Sequence, residues 1–257
     1  MKKMMRWPSA AMLAAMLVAC GGGGGGGGGG SDDGGPAQTA APPTATPPQS
    51  AGPAARVTEF DLAGAYANYL AGSVHYTFSG RATGLGEVID IQGFGDVSAP
   101  VASSFNGIPT LRKTTSAVVV GTDQRGASQT QRSSADRYYD SNYRHIATVT
   151  SGTGGDFEIV TMAALPAKVQ PGASGEWSTS IAYSDAALTR VVNTATARYT
   201  VQRESDTTAL LNVISTATAD GARVEVTDRY RLQNDRTMRQ VSQHVDTPTV
   251  VSNLDYR

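Results

Sequence analysis

The side chains that could carry out chemistry are few and widely separated along the chain. The three histidines, His75, His145 and His244, form no H-x-H or H-x-x-x-H pair of the kind that predicts a metal site. Residues 172–176 read Gly-Ala-Ser-Gly-Glu and lack the last glycine of the hydrolase elbow G-x-S-x-G. No spacing selects a catalytic pair of carboxylates. The sequence therefore indicates no cofactor and no metal and leans away from an enzyme, with a hydrolase as a weak alternative.

The chain's single cysteine, Cys20, follows an apolar run and precedes ten glycines. Basic residues begin the chain, and the apolar run is shorter than the roughly 20 residues that span a bilayer. Residues 17–20, Leu-Val-Ala-Cys, resemble the lipobox of bacterial lipoproteins. The resemblance implies cleavage before Cys20, diacylglycerol on its sulfur and usually an acyl chain on its new amino terminus. Two or more acyl chains anchor a protein stably, so we expect the membrane as a partner through Cys20.

The resemblance also bears on localisation and on how the domain must fold. Gly21 stands where lipoproteins of the inner membrane typically carry aspartate, so the outer membrane is the expected destination, on either face. Lipidation uses the only thiol, so the domain folds without a disulfide even in an oxidising compartment.

Composition divides the chain into three parts. Residues 1–19 form the expected signal peptide, and residues 20–55 form a lipidated cysteine and a disordered Gly/Pro/Ala-rich tether without aromatic or large aliphatic side chains. Residues 56–257 have the composition of one globular domain. Of the 21 Lys and Arg, three precede residue 20, and of the 22 Asp and Glu, two lie in the tether. The remaining 18 and 20 give a net charge of about −2, which argues against a nucleic-acid partner.

The domain pattern predicts an all-β fold, either an antiparallel barrel or a curved sandwich, with one short helix before it. Asp61 is the expected N-cap of this helix and Gly72 its stop. Leu62, Ala65, Tyr66, Tyr69 and Leu70 share the helix face that would pack on the sheet. Period-2 alternation between turn residues predicts twelve strands: 73–80, 86–93, 114–122, 128–139, 144–151, 156–163, 177–184, 190–204, 208–218, 223–233, 236–246 and 249–256.

Two segments 92 residues apart fit the pattern D-R-Y-x-x-x-N-x-R, beginning at Asp136 and at Asp228. This similarity suggests either an internal repeat or chance. In each copy the aspartate shares a strand face with tyrosine, which predicts an inward carboxylate that needs a partner. Arg144 and Arg236, which lead the following strands, are the expected partners. We interpret these four residues as structural rather than as a ligand site.

Two further features are weak candidates for ligand or partner contact. Trp177 ends the longest loop-like segment, 165–177. It would cap a ligand pocket, anchor a partner or close the open end of a barrel, and closure is the favoured interpretation. Arg223, Arg229 and Arg231 form a basic stripe that could bind an anionic glycan or a lipopolysaccharide phosphate. A glutamate within the stripe favours an exposed, self-paired strand face instead.

The overall layout narrows the function without defining it. A lipobox, a glycine run and an all-β domain are similar to the layout of surface lipoproteins such as transferrin-binding protein B, which implies binding of a macromolecule. The favoured hypothesis is a non-enzymatic binding or structural module of the envelope. The alternative is a periplasm-facing carrier of lipid or another apolar ligand, loosely similar to the lipoprotein-localisation proteins. The two differ in whether side chains fill the interior of the domain or line an empty space.

Overall fold

The computed structural model describes residues 56–151, 156–219 and 222–257. Cys20, the lipobox and the tether lie outside the described residues, as do the expected turns at 152–155 and 220–221. The described residues form one helix and thirteen strands: α1 (Leu62–Ala71), β1 (Val74–Gly84), β2 (Glu87–Val97), β3 (Val101–Phe105), β4 (Ile108–Asp123), β5 (Ser128–Tyr139), β6 (His145–Ser151), β7 (Phe157–Met162), β8 (Ser174–Tyr183), β9 (Val191–Arg203), β10 (Thr208–Ala219), β11 (Ala222–Gln233), β12 (Met238–Asp246) and β13 (Val250–Tyr256).

Twelve of these strands close into an antiparallel barrel. From β4 to β13 each strand pairs with the next along the chain. β13 then pairs with β1, β1 with β2, and β2 with β4, which closes the ring. Among the described residues, β3 pairs only with the first part of β4, and it lies outside the ring. The predicted all-β antiparallel class is confirmed, and the architecture is the barrel, whose closure leaves no open edge along the paired parts of the twelve ring strands.

Each of the twelve strand ranges predicted from the sequence overlaps one barrel strand, whereas β3 has no predicted counterpart. The prediction also begins β4 at residue 114, although the strand starts at Ile108. The physical reason is a weak local signal: β3 follows Pro100, contains two successive serines and has no clear alternation of apolar and polar residues. Its strand conformation comes from pairing with β4.

The predicted helix is confirmed with its two ends. The side chain of Asp61 accepts a hydrogen bond from the backbone N–H of Gly64 (2.7 Å), which satisfies one of the free donors of the first turn. Gly72 follows the last helical residue in an extended conformation (φ −98°). The helix buries Leu62, Ala65, Tyr69 and Leu70, so most of the predicted face packs inward, and Tyr66 is partly buried.

Side chains alternate between the inside and the outside of the barrel. Inside, one apolar cluster joins α1 to β9, β10, β11 and β12, and a second joins β1, β2, β4 and β13. In the second cluster the rings of Tyr76 and Phe78 lie on Gly95 and Gly93 of β2, where a Cβ atom would overlap them. These glycines therefore allow aromatic rings to cover the neighbouring strand from within.

The two D-R-Y segments do not occupy equivalent positions, so the inward placement predicted for both aspartates is right for Asp228 and wrong for Asp136. The turns after β5 and β11 each contain one non-glycine residue with positive φ, at Tyr143 (60°) and Arg236 (67°), which are 93 residues apart rather than 92. The one-residue difference turns the first aspartate outward. Asp136 lies on the outer face with its side chain 29% exposed, whereas Asp228 lies inside at 3%.

Candidate functional site

The helix closes one end of the barrel, which we call the helix end. The chain reaches it through two backbone attachments beside the β7–β8 and β9–β10 connections. Phe60 and Val169 exchange hydrogen bonds of 2.8 and 2.9 Å, and the N–H of Val57 donates to the carbonyl of Asp206 (2.7 Å). These contacts fix the start of the helix over the barrel.

Trp177 lies at the helix end and packs against the helix. Its ring meets the ring of Tyr66 edge-on with centroids 5.2 Å apart, and the ring of Tyr199 at 6.3 Å. Tyr199 in turn lies over Gly175, where a Cβ atom would come within 2.8 Å of the ring. Trp177 therefore contributes to the packing that closes this end, and contact with a ligand stays a prediction.

The other end of the helix is held by a buried lysine. Lys113 of β4 is 1% exposed, and its Nζ donates to the carbonyls of Leu70 and Gly72, both at 2.7 Å. Carbonyls at a helix C-terminus have no partner within the helix, and a cation there is favoured by the helix dipole. Burial lowers the pKa of Lys113 to about 8, and the neighbouring Arg137 acts in the same direction.

Arg137 places a second cation directly beside the first. It lies opposite Lys113 in the register of β4 and β5, is 4% exposed, and donates from Nη1 to the hydroxyl of Thr115 (2.9 Å). Like charges at opposite positions of two strands repel. The carbonyls at the end of α1 and a carboxylate in the same interior, Asp228, offset this cost.

Asp228 supplies the buried acid of this interior. Its Oδ1 accepts hydrogen bonds from the side-chain amides of Gln240 (2.8 Å) and Gln243 (2.9 Å). Burial raises the pKa of Asp228 to about 7, while the amide of Gln243 and the charge of Arg137 act to lower it. The carboxyl group thus titrates near neutral pH inside the barrel.

His145 is the one histidine placed near these groups. Its Nε2 lies 3.0 Å from the carbonyl of Ala147 and 3.0 Å from the hydroxyl of Thr148. Burial lowers the pKa of His145 to about 3, and Arg137 contributes, so the imidazole is neutral at physiological pH. His75 and His244 instead make exposed hydrogen bonds on the outer face.

The two ion pairs expected from the sequence are wrong. Asp136 accepts from the hydroxyl of Thr114 (2.6 Å) and faces Arg112 (3.6 Å), because it lies on the outer face. Arg144 donates to a backbone carbonyl at the end of β7 (3.1 Å). Arg236 pairs with Asp61 at 2.8 Å, because the turn before β12 lies beside the start of α1. That pair therefore supports the helix N-cap.

The basic stripe on the outer face is paired within itself and with neighbouring strands. Arg223 bonds to Glu225 (2.7 Å), and Arg229 donates to the side-chain oxygen of Asn212 (2.9 Å). Arg231 contacts both carboxylate oxygens of Glu204, which holds the pKa of that glutamate below its usual range. Each guanidinium of the stripe thus has a partner on the barrel itself, and a glycan contact stays a prediction.

Sequence reasoning missed Lys113 and Arg137. The sequence did contain a signal for the lysine. Every second residue of β4 from Leu111 to Val119 points inward, and Lys113 is one of these positions. For the arginine, the sequence pattern predicts that the strand face of Asp136 and Tyr138 is inward, which would place Arg137 outside; in the structure Arg137 is inside. An interior charge network holding a helix was therefore not foreseen.

The structure thus brings together a helix and a charged interior, and each ionisable group there bonds to the fold. Within the described ranges, no three His, Cys, Asp or Glu side chains converge closely enough to hold a metal ion. None of the helices in those ranges is both long and apolar enough to cross a membrane. Comparisons with protein-family models, curated proteins and solved structures find no match to this chain.

Proposed function

We propose that the protein is an exported lipoprotein of the cell envelope, anchored to the outer membrane through acylated Cys20, whose barrel is a non-enzymatic binding module. The lipobox sequence supports the anchor. The Gly/Pro/Ala-rich composition of residues 21–55 supports display at a distance, because a tether of these 35 residues would span roughly 30–35 Å if it behaves as its composition predicts. The partner is a macromolecule that contacts the outer surface or the rim.

The observation that carries this proposal is the occupied interior at the helix end. Leu62 of α1, Leu211 of β10 and Leu232 of β11 are completely buried there. An interior filled by the chain's own side chains leaves the outer face and the rim for recognition. A lipid carrier would instead need a cavity lined by apolar side chains.

The opposite end of the barrel favours a second candidate, a carrier of a small apolar ligand. The inward positions of β8, β9 and β10 there hold small, half-buried side chains: Ser178, Ser180, Ala182, Ala195, Ala197, Ser215 and Ala217. A ring of twelve strands is wider than the eight-stranded barrels that side chains just fill. Saturable binding of a fluorescent fatty acid, lost in Ala195→Phe, would favour this candidate over the first.

Protease digestion of intact cells tests the first candidate. If the barrel is displayed outward, an impermeant protease removes residues 56–257 while periplasmic marker proteins stay intact. Survival of the domain until the outer membrane is breached would overturn surface display and leave the carrier candidate.

Replacement of the anchoring cysteine tests the attachment separately. Cys20→Ser should abolish labelling by a radioactive fatty acid and move the protein from the membrane fraction to the soluble fraction. A Cys20→Ser chain that still partitions with membranes would contradict the lipobox interpretation.

A further inference from the structure

β3 continues β2 beyond the rim of the barrel and forms a hairpin with the first residues of β4. β2 ends opposite Thr115, and β3 resumes opposite Arg112 on the same edge of β4, with one extra residue between them. The hairpin closes at Asn106 (φ 49°) and Gly107 (φ 78°), as in a type I′ turn. We call residues 101–112 the tongue.

One edge of the tongue has no neighbouring strand among the described residues. β1 pairs with β2 only as far as Val97, because the chain before Val74 leaves the sheet and forms α1. In a two-residue hairpin the pair beside the turn is hydrogen-bonded, and bonded pairs then alternate along the strands. Ser103 therefore bonds to β4, whereas the backbone N–H and C=O of Ala102 and Ser104 face the open edge.

The two edges of the tongue differ in their protection. On the β4 edge of the tongue, the residue opposite Ser104 is Pro109. A residue at this position would point its backbone N–H outward, but proline has no N–H to offer an added strand. β3 reads Val-Ala-Ser-Ser-Phe, without the charge or proline that usually blocks strand pairing, and Val101 is 47% exposed. The β3 edge is therefore open to an added strand.

A shallow cleft that contains one carboxylate, Asp96, lies at the foot of this edge. It has a volume of about 450 Å³ and is lined by the start of β1 and by His75, Asp96, Ser98, Thr114 and Ser116. Asp96 hydrogen-bonds to His75 (2.8 Å), and its side chain remains 61% exposed. Because none of the described residues that line it is Lys or Arg, the cleft favours a cationic side chain beside this carboxylate. The guanidinium of Arg132 lines the adjoining cleft that shares Asp96 and Ser116.

We propose that the β3 edge binds an extended peptide segment of a partner protein as an added antiparallel strand, with a Lys or Arg of that segment over Asp96. This inference rests on the proposed binding function and names the kind of partner. A peptide strand added antiparallel to β3 would lie where β1 would continue if it extended beyond Val74 toward the tongue. It would run in the same direction as β1. Its C-terminal residue therefore lies next to Ser73 and the cleft.

A second copy of this chain fits the same edge less well. Pairing of β3 with β3 about a two-fold axis at Ser103 would join only five residues from each chain. Such a strip is much smaller than the roughly 1,200 Å² that stable protein interfaces bury. It would also place no cation over Asp96. An extended peptide needs no such area, because the main-chain hydrogen bonds of an added strand supply the affinity.

Titration with a synthetic peptide tests the proposal. The full chain carrying Cys20→Ser is mixed with an acetylated, amidated peptide of alternating threonine and valine that ends in lysine. We expect saturable binding with a micromolar to millimolar Kd. Hydrogen exchange should slow at the amides of Ala102 and Ser104 and stay unchanged at Ser103, which already bonds to β4.

Matched variants identify the edge and the cleft. Ser104→Pro removes an outward N–H and should weaken binding by about tenfold or more, whereas Ser104→Ala keeps the N–H and should bind normally. Asp96→Asn should weaken the lysine peptide severalfold and leave an alanine-ended peptide unchanged. Circular dichroism confirms that each variant keeps its strands.

Three results would overturn the inference. They are no peptide binding up to 1 mM, equal binding by Ser104→Pro and Ser104→Ala, or edge protection that rises with protein concentration without peptide, which would identify a second copy. Each of these leaves the proposed function standing if intact cells lose the domain to protease. If the domain survives protease digestion of intact cells but binds the peptide, the result would overturn surface display and leave the peptide-binding inference intact.

Discussion

Replacing Asp228 by asparagine should change how the stability of the barrel depends on pH. Burial raises the pKa of this carboxyl to about 7 in the folded chain, whereas an unfolded aspartate titrates near its ordinary value of about 4. Between these values the folded chain holds a proton that the unfolded chain has released. The contribution of Asp228 to the free energy of unfolding therefore falls as pH rises, by about 1.4 kcal/mol per unit and about 4 kcal/mol in total.

His145 contributes with the opposite sign over nearly the same range. Its pKa is lowered to about 3 in the folded chain, so between that value and about 6.5 only the unfolded chain holds the proton. The free energy of unfolding therefore rises with pH in this window. In the native chain the two contributions largely cancel between about pH 4 and 6.5, and removing one of them exposes the other.

Urea unfolding of the native chain and of Asp228→Asn at pH 4, 5, 6 and 7 measures the effect. Asparagine keeps the oxygen that accepts from Gln240 and Gln243, so the change is chiefly in charge. The stability of the native chain minus that of the variant should fall by about 1.4 kcal/mol per pH unit.

Surface carboxylates titrate in both chains and drop out of this difference. His145→Gln is the matched control, and its difference should rise with pH instead. A native-minus-Asp228→Asn difference that stays constant from pH 4 to 7 would refute the reasoning.

Three substitutions test how the helix and the interior are held, each by urea unfolding at pH 7 with m monitored. Lys113→Gln should lower the free energy of unfolding by about 1–3 kcal/mol, because at least one carbonyl at the end of α1 loses its hydrogen-bond donor. An unchanged urea midpoint would contradict the stabilising role of these two hydrogen bonds. Asp61→Ala should cost about 1 kcal/mol through loss of the bond to Gly64, and Asp61→Asn should recover most of it. Gly93→Ala should cost about 1–3 kcal/mol, because the added methyl group would overlap both the ring of Phe78 and the backbone carbonyl oxygen of Val118. An unchanged free energy of unfolding would contradict this close packing.

The fold was predictable because its signals are local. Alternation within strands and turn residues between them located all twelve barrel strands, and Asp61 and Gly72 bounded the helix. Local signals do not show whether the sheet closes into a barrel. Closure depends on the pairing of β2 with β4, which joins the two ends of the twelve-strand sheet. β3 was missed for the same reason, since only β4 makes it a strand.

The interior charges were less predictable, because a one-residue shift exchanges the two faces of a strand. In β5 an irregularity between Tyr138 and Tyr139 accompanies the shift, and the pair of tyrosines fits either phase. Asp136 was therefore placed inside and Arg137 outside, the reverse of the structure. Asp228 lies in a strand with an unambiguous apolar phase, and its inward position followed directly from the sequence.

The hydrogen bonds of buried Lys113 and the open edge of β3 both depend on the short segment that precedes β1, residues 62–73. Lys113 donates to the carbonyls of Leu70 and Gly72, so the chain before Val74 is held at the helix end of the barrel. Were that segment to continue β1 in a straight line, it would cover β3 and leave no edge for a partner. The helix N-cap and the backbone bonds at Phe60 fix the other end of the same segment. The interior contacts that close the barrel at this end thus also keep residues 62–73 away from the position beside the tongue, which links the energetics of the core to the surface proposed for recognition.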